Sequence, residues 1–189
     1  MAEFVVFDPK AEVSGASILV YIAAMGEAVI PIMERHLGTT EFKPDLWFPL
    51  QANLDVFREI SQPSYNAVFD LVKIGINGAR IAEVPPEVNS IPSVLQSLDV
   101  AYHLFHRNGE IGYYRTEIKD QNQIDLICRN PYPCDVDYGL IYGFVQRFCP
   151  EGMTFTVRHA EGECRKNGGE TCIYHVEWKE IEEDAEPLP

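Results

Sequence analysis

The stretch MTFTVRHAEGECRKNGGETCIYHVEW, residues 153–178, alternates in character, breaks, and alternates again. Along MTFTVRHAE, Phe155, Val157, His159 and Glu161 share one face of an extended chain. Along TCIYHVEW, Cys172, Tyr174, Val176 and Trp178 do the same. A polar loop with glycines, 162–170, separates the runs, so they read as consecutive strands paired in a hairpin. The pairing sets Glu161 and Cys164 at the exit of the first strand and Cys172 at the entrance of the second. All three then converge at one end of a sheet.

Upstream of this hairpin, YPCDVDYGLIYGFVQRFC reads as a helix over about 136–148, its start marked by Asp135 or Asp137. GYYRTEIKD and QIDLICRN read as two further strands with a turn at 120–122. The first half is helical. A helix runs from the N-cap Ser14 to Gly38, with a kink expected at Pro31. A short one follows in NLDVFREIS, after the apolar patch LWFPLQ. A third, 64–83, carries Val68, Leu71, Val72 and Ile76 at helical spacing, and a fourth, 93–106, carries Val94, Leu95, Leu98, Ala101, Tyr102 and Phe105. Helices first, then strand, strand, helix, strand, strand, predict an α+β fold. N-terminal helices pack on a C-terminal antiparallel sheet with one inserted helix. The expected organisation is one domain over 1–180, with a helical half (14–106), a sheet half (107–178) and an acidic tail at 181–189.

A chain of 189 residues that is 46% apolar can bury a sizeable core. Its formal charge of −14 argues against nucleic acid or anionic membrane as a partner. The N-terminus shows no basic region followed by an apolar core. No apolar run reaches the roughly 18–20 residues of a membrane span; the longest, 18–33, contains Glu27 and Pro31. A cytoplasmic protein is expected. Five cysteines without a secretory signal then point to metal ligation or burial in place of disulfides.

Cys134, at the start of a helix whose partial positive charge favours a thiolate, is the candidate fourth ligand beside Glu161, Cys164 and Cys172. Three thiolates and a carboxylate with no open position would make a closed, structural zinc site. His159, Glu163 and, more weakly, Cys149 stay open as competing ligands, whereas Cys128, alternating with Ile124 and Leu126 on a strand, reads better as burial. No nucleophile with its base is evident. IGINGAR (74–80) has two glycines but ends a helix, where a nucleotide loop would open one. No enzyme is expected.

Three pieces, PCDVDYGLIYG (133–143), EGEC (161–164) and TCIYHVEW (171–178), resemble the 4-vinyl reductase domain family. The resemblance implies zinc at Cys134, Glu161, Cys164 and Cys172. It also implies an apolar pocket between helices and sheet for a small hydrophobic or aromatic ligand. Aromatic density near the helix-to-sheet junction gives Trp47, Phe48, Tyr102, Phe105, Tyr114 and Ile127 as its lining, with His106 or Arg115 for polarity. On this reading the chain is a sensor or regulatory module, a homodimer that signals to a separate output protein. The same superfamily includes haem nitric-oxide/oxygen-binding domains and vesicle-tethering subunits. It therefore implies two alternatives, a tethering subunit and a haem gas sensor with His103 or His106 as axial ligand. The Tyr-x-Ser-x-Arg motif of the haem domains has no match here.

Overall fold

The computed structural model describes residues 3–63 and 67–181, leaving out the side chains of 21 and 67–70. The helix reading at 64–66, the placement of Val68's side chain and the acidic tail from 182 onward fall outside the described residues.

The structure is α+β, as the order of elements predicts. Ser14 closes a short strand, β1 (Glu12–Ser14), and its hydroxyl caps helix α1 (Gly15–Met25) by accepting from Ser17 N. The single helix expected over 14–37 is two. Gly26, at φ 69°, breaks the α-helix into a 3-10 turn, and α2 (Ile30–Leu37) follows. Pro31 does not kink a helix, because it lies in the first turn of α2, where no amide hydrogen is needed. By length and composition alone Gly15–Leu37 could cross a membrane, with a mean hydropathy of 1.9.

LWFPLQ divides between strand β2 (Trp47–Pro49) and helix α3 (Leu50–Ile60). Helices α4 (Ala67–Ile81) and α5 (Ile91–Leu104) follow. A capping box between Ser90 and Ser93 starts α5, which turns Val94, Leu95, Leu98 and Tyr102 inward. Strand β3 (His106–Arg107) joins β1 and β2 in a three-stranded sheet that periodicity did not predict.

The larger sheet holds β4 (Tyr113–Asp120), β5 (Gln123–Arg129), β6 (Met153–His159) and β7 (Cys172–Glu180), in the order β4-β5-β7-β6, all antiparallel. Its inner face carries Ile124, Leu126 and Cys128 from β5 and Cys172, Tyr174, Val176 and Trp178 from β7, all buried. Helix α6 (Cys134–Phe148) packs against this sheet and against α4. The α4–α6 contact is backbone on backbone. A Cβ built on Gly139 would stand 2.1 Å from Val72 O, and one on Gly75 2.2 Å from Val136 O. IGINGAR thus lies within α4, and its first glycine lets the helices touch.

The N-terminal residues strap the halves together. Phe4 N donates to Pro131 O (2.8 Å), Gln51 Nε2 donates to Phe4 O (3.0 Å), and Glu3 Oε1 accepts from Cys134 N (2.7 Å).

Candidate functional site

Two clusters of chemically able side chains lie on either side of the loop between β5 and α6. The first gathers where the hairpin meets α6. Cys134 opens α6, Cys172 opens β7 opposite Cys128, and Cys164 precedes a short 3-10 turn, Arg165–Asn167. The Sγ atoms of Cys164 and Cys134 are 4.0 Å apart, and those of Cys172 and Cys164 3.7 Å.

The fourth group is His159, at the end of β6. Its ligand atom and the three sulfurs all lie within 4.8 Å of one another. Its Nε2 is buried without a hydrogen-bond partner, and its Nδ1 engages Ala160 O at 2.8 Å. Glu161 is exposed in the turn and stands outside this group. The strand stops at His159, so the alternation that placed Glu161 beside it does not continue. Glu163 instead accepts from the amides of Glu170 and Thr171 (2.7 and 3.2 Å) and closes the loop. Cys128 is buried, and Cys149 sits apart near Met153 O at 3.7 Å. A hydrogen bond from the Cys134 thiol, helped by Arg165, holds the Cys172 thiol far below the usual thiol range; the same bond pushes Cys134 up.

Beside the sulfurs lies a residue that sequence reasoning missed. The Arg165 side chain is 2% exposed, and it pairs with Asp137, 1% exposed. Its Nε donates to Cys172 Sγ at 3.4 Å and one terminal nitrogen to Tyr132 O at 2.9 Å, with Asn130 also in reach. Asp137 further accepts from Tyr114 Oη and Asn130 Nδ2. Its place just after Asp135 in the first turn of α6 was legible as a helix-start signal, but Arg165 within a polar loop carried none.

The second cluster is aromatic. His106, buried at the start of β3 two residues past the end of α5, has Nδ1 on Tyr102 O (2.7 Å) and Nε2 on Tyr132 Oη (2.8 Å). The rings of Tyr102 and Tyr132 stand 4.3 and 5.6 Å from it, Tyr114 packs edge-on against Tyr102 at 5.3 Å, and Phe57 against Tyr132 at 5.5 Å. Burial lowers the His106 pKa from 6.5 to about 4.

Of the residues read as pocket lining, the structure thus joins Tyr102, His106 and Tyr114, and adds Tyr132. Phe48 is buried on the small sheet, and Trp47 lies under the Arg107 guanidinium at 4.1 Å. Phe105 and Arg115 are exposed. Ile127 pairs with Arg115, on the sheet face opposite the Tyr114–Cys128 pair. A depression of about 430 Å³ lies among Asp120–Gln123, Thr154–Thr156 and Glu177–Lys179, and a shallower one of about 340 Å³ beside His103. Neither is lined by His106.

The neutral His106 ring has a consequence for stability. The unfolded chain takes up a proton below about 6.5, whereas the folded chain resists it down to about 4. The stability this ring contributes is therefore complete above about pH 6.5 and is lost as the pH falls toward 4. The full loss is about 3 kcal/mol. Urea titrations at pH 7 and pH 4.5 should show the wild type losing more stability than His106→Asn; equal losses would refute the assignment.

No protein-family model matches the chain, and no curated protein does. Its fold has close counterparts among solved structures. An H-NOX protein from S. oneidensis in the Fe(II) ligation state superposes with a TM-score of 0.67 at 16% identity, over 90% of this chain and 98% of that one. The same organism's H-NOX protein in the Fe(II)NO state gives 0.66 over 88% and 99%, also at 16% identity. An Fe(II) unliganded H-NOX mutant from K. algicida gives 0.66 at 11% identity, over 88% and 97%.

These structures share the fold of this chain. They overturn the zinc expectation: the solved structures that match this fold are described by their iron or haem, and a group of sulfurs is not in itself a zinc centre.

For a haem, the test is His106. Its Nδ1 is oriented by a backbone carbonyl, as metal-ligating histidines are, and its ring is neutral, so the donor chemistry fits. The Tyr132 hydroxyl stands on the donor atom, and the rings beside it fill the space, so Tyr132 has to turn away before a flat macrocycle can approach. His103 has Nδ1 on Asp99 O and lies at the surface.

Proposed function

We propose that the chain is a small-ligand sensor domain built on the H-NOX fold, with His106 as the donor that meets the bound group. The observation that carries this is a buried, neutral imidazole at the helix-to-sheet junction of a chain that follows H-NOX structures over about nine-tenths of its length. Among the ligand classes read from sequence, a haem-bound gas is better supported than any reading centred on zinc. His106 would hold a bound haem, which would supply an iron able to take a diatomic gas. The chain's own part would be to hold Nδ1–H on Tyr102 O, to free the Nε2 lone pair by turning the Tyr132 hydroxyl away, and to exclude water with the tyrosine rings.

Adding haemin to the purified protein should give a Soret band of histidine-ligated haem at one equivalent. His106→Ala should weaken binding at least tenfold, while His103→Ala, at the surface, should not. A wild type with no Soret shift, or His106→Ala binding as well as wild type, would reject haem.

A second reading, the small aromatic ligand of the 4-vinyl reductase resemblance, is favoured by the ring-on-ring packing around His106. It would show as a rise in melting temperature with small aromatics and no response to haemin.

A further inference from the structure

Arg165 joins the two clusters, and it reaches both nitrogens of His106 by separate routes. On one route its terminal nitrogen donates to Tyr132 O, and Asn130 Oδ1, held by the same guanidinium, accepts from Tyr132 N at 3.0 Å. The hydroxyl of that tyrosine stands on His106 Nε2. On the other route Arg165 pairs with Asp137, which accepts from the Tyr114 hydroxyl. The Tyr114 ring packs edge-on against Tyr102, whose carbonyl holds His106 Nδ1. At its near end the guanidinium gives Nε to Cys172 Sγ, and the Arg165 amide donates to the same sulfur at 3.5 Å.

We infer that Arg165 is a positioning residue that couples the Cys134/Cys164/Cys172 cluster to the His106 site. The warrant is the fixed geometry of the fork. A guanidinium is planar and presents its five N–H donors at set angles. It cannot lose the sulfur acceptor at Nε and keep its other bonds unchanged, because a buried donor left without an acceptor is costly. Once the Cys172 sulfur is taken from it, the plane turns toward Asp137, its ion-pair partner. That turn draws on the segment that carries Tyr132. Coupling of this kind is reciprocal, so a group seated at His106 also alters the reactivity of the sulfurs.

The inference rests on His106 being the ligand-facing donor, but its test needs no ligand. The readout is the pair of imidazole ¹⁵N resonances of His106 in the ligand-free protein at pH 7. Cys172→Ala should move both, and Cys172→Ser, whose hydroxyl can again accept from Arg165, should bring them part of the way back. Cys149→Ala, remote from the fork, should leave them in place. A folded Cys172→Ala protein with both resonances at wild-type positions would overturn the coupling, and so would an equal shift from Cys149→Ala. If Cys172→Ala does not fold, Arg165→Lys, which keeps the charge and gives up the fork, decides the matter. Moved resonances support the coupling and unmoved ones refute it. A protein that never takes up haem still answers this question, so the two failures are distinguishable.

Discussion

Asp137→Asn is expected to cost about 3–5 kcal/mol of folding stability, read as a lower urea midpoint with an unchanged slope. Asparagine has the shape of aspartate and can still accept from the Tyr114 hydroxyl, so little packing is lost. What disappears is the counter-charge of an arginine side chain only 2% exposed. The guanidinium then has no carboxylate to meet it, only the Cys172 sulfur and the Asn130 and Tyr132 carbonyls, and the lost ion pair sets the size of the effect. Replacing both members with apolar residues, Asp137→Leu with Arg165→Met, should cost less than the single change, because no charge then remains to be desolvated. A single variant within 1 kcal/mol of wild type would mean that the pair is not the buried ion pair described here.

Gly139→Ala should be nearly as damaging, at about 3 kcal/mol, through a different cause. The added methyl would stand 2.1 Å from Val72 O and 2.9 Å from its carbonyl carbon. Those are backbone atoms and cannot swing aside as a side chain could, so α4 and α6 would have to separate along their contact. Gly78→Ala provides the contrast within α4. Its methyl would meet only side-chain carbons of Leu140 and Val20, at 3.5 and 3.6 Å. It should be neutral or gain up to about 1 kcal/mol from helix propensity. Thermal denaturation of the two variants checks both signs, and similar behaviour would refute the backbone contact.

Much of the architecture could be read because it repeats. The i, i+1, i+4, i+8 pattern of Val94, Leu95, Leu98 and Tyr102 located α5, and the two-residue alternation of Cys172, Tyr174, Val176 and Trp178 located β7 with its buried face. Strands β1, β2 and β3 escaped because two or three residues cannot display a period. The break in the first helix was placed at Pro31 when Gly26 makes it. Proline is tolerated in a first turn, and a glycine among apolar neighbours gives no periodic warning.

At the site, the convergence of Cys134, Cys164 and Cys172 followed from the hairpin and the helix start. The choice of Glu161 over His159 turned on where β6 ends, and alternation does not mark a strand's last residue. Tyr132 and Arg165 lie in loops, where their neighbours in space come from other parts of the chain. The zinc reading failed for another reason, since residues that gather sulfur do not by themselves name a metal.

The strap formed by Glu3 and Phe4 bears on how the chain is made. Glu3 caps an amide 131 residues further along, at Cys134. At a synthesis rate of about 5–20 residues per second, Glu3 is joined to the chain roughly 7–26 s before that partner exists. Over that interval the α3 side chain that will hold Phe4, Gln51, is already present, while Pro131 and Cys134 are not. The bonds from α3 to Phe4 can therefore form early, while those that tie Glu3 and Phe4 to the sheet half arrive only with it.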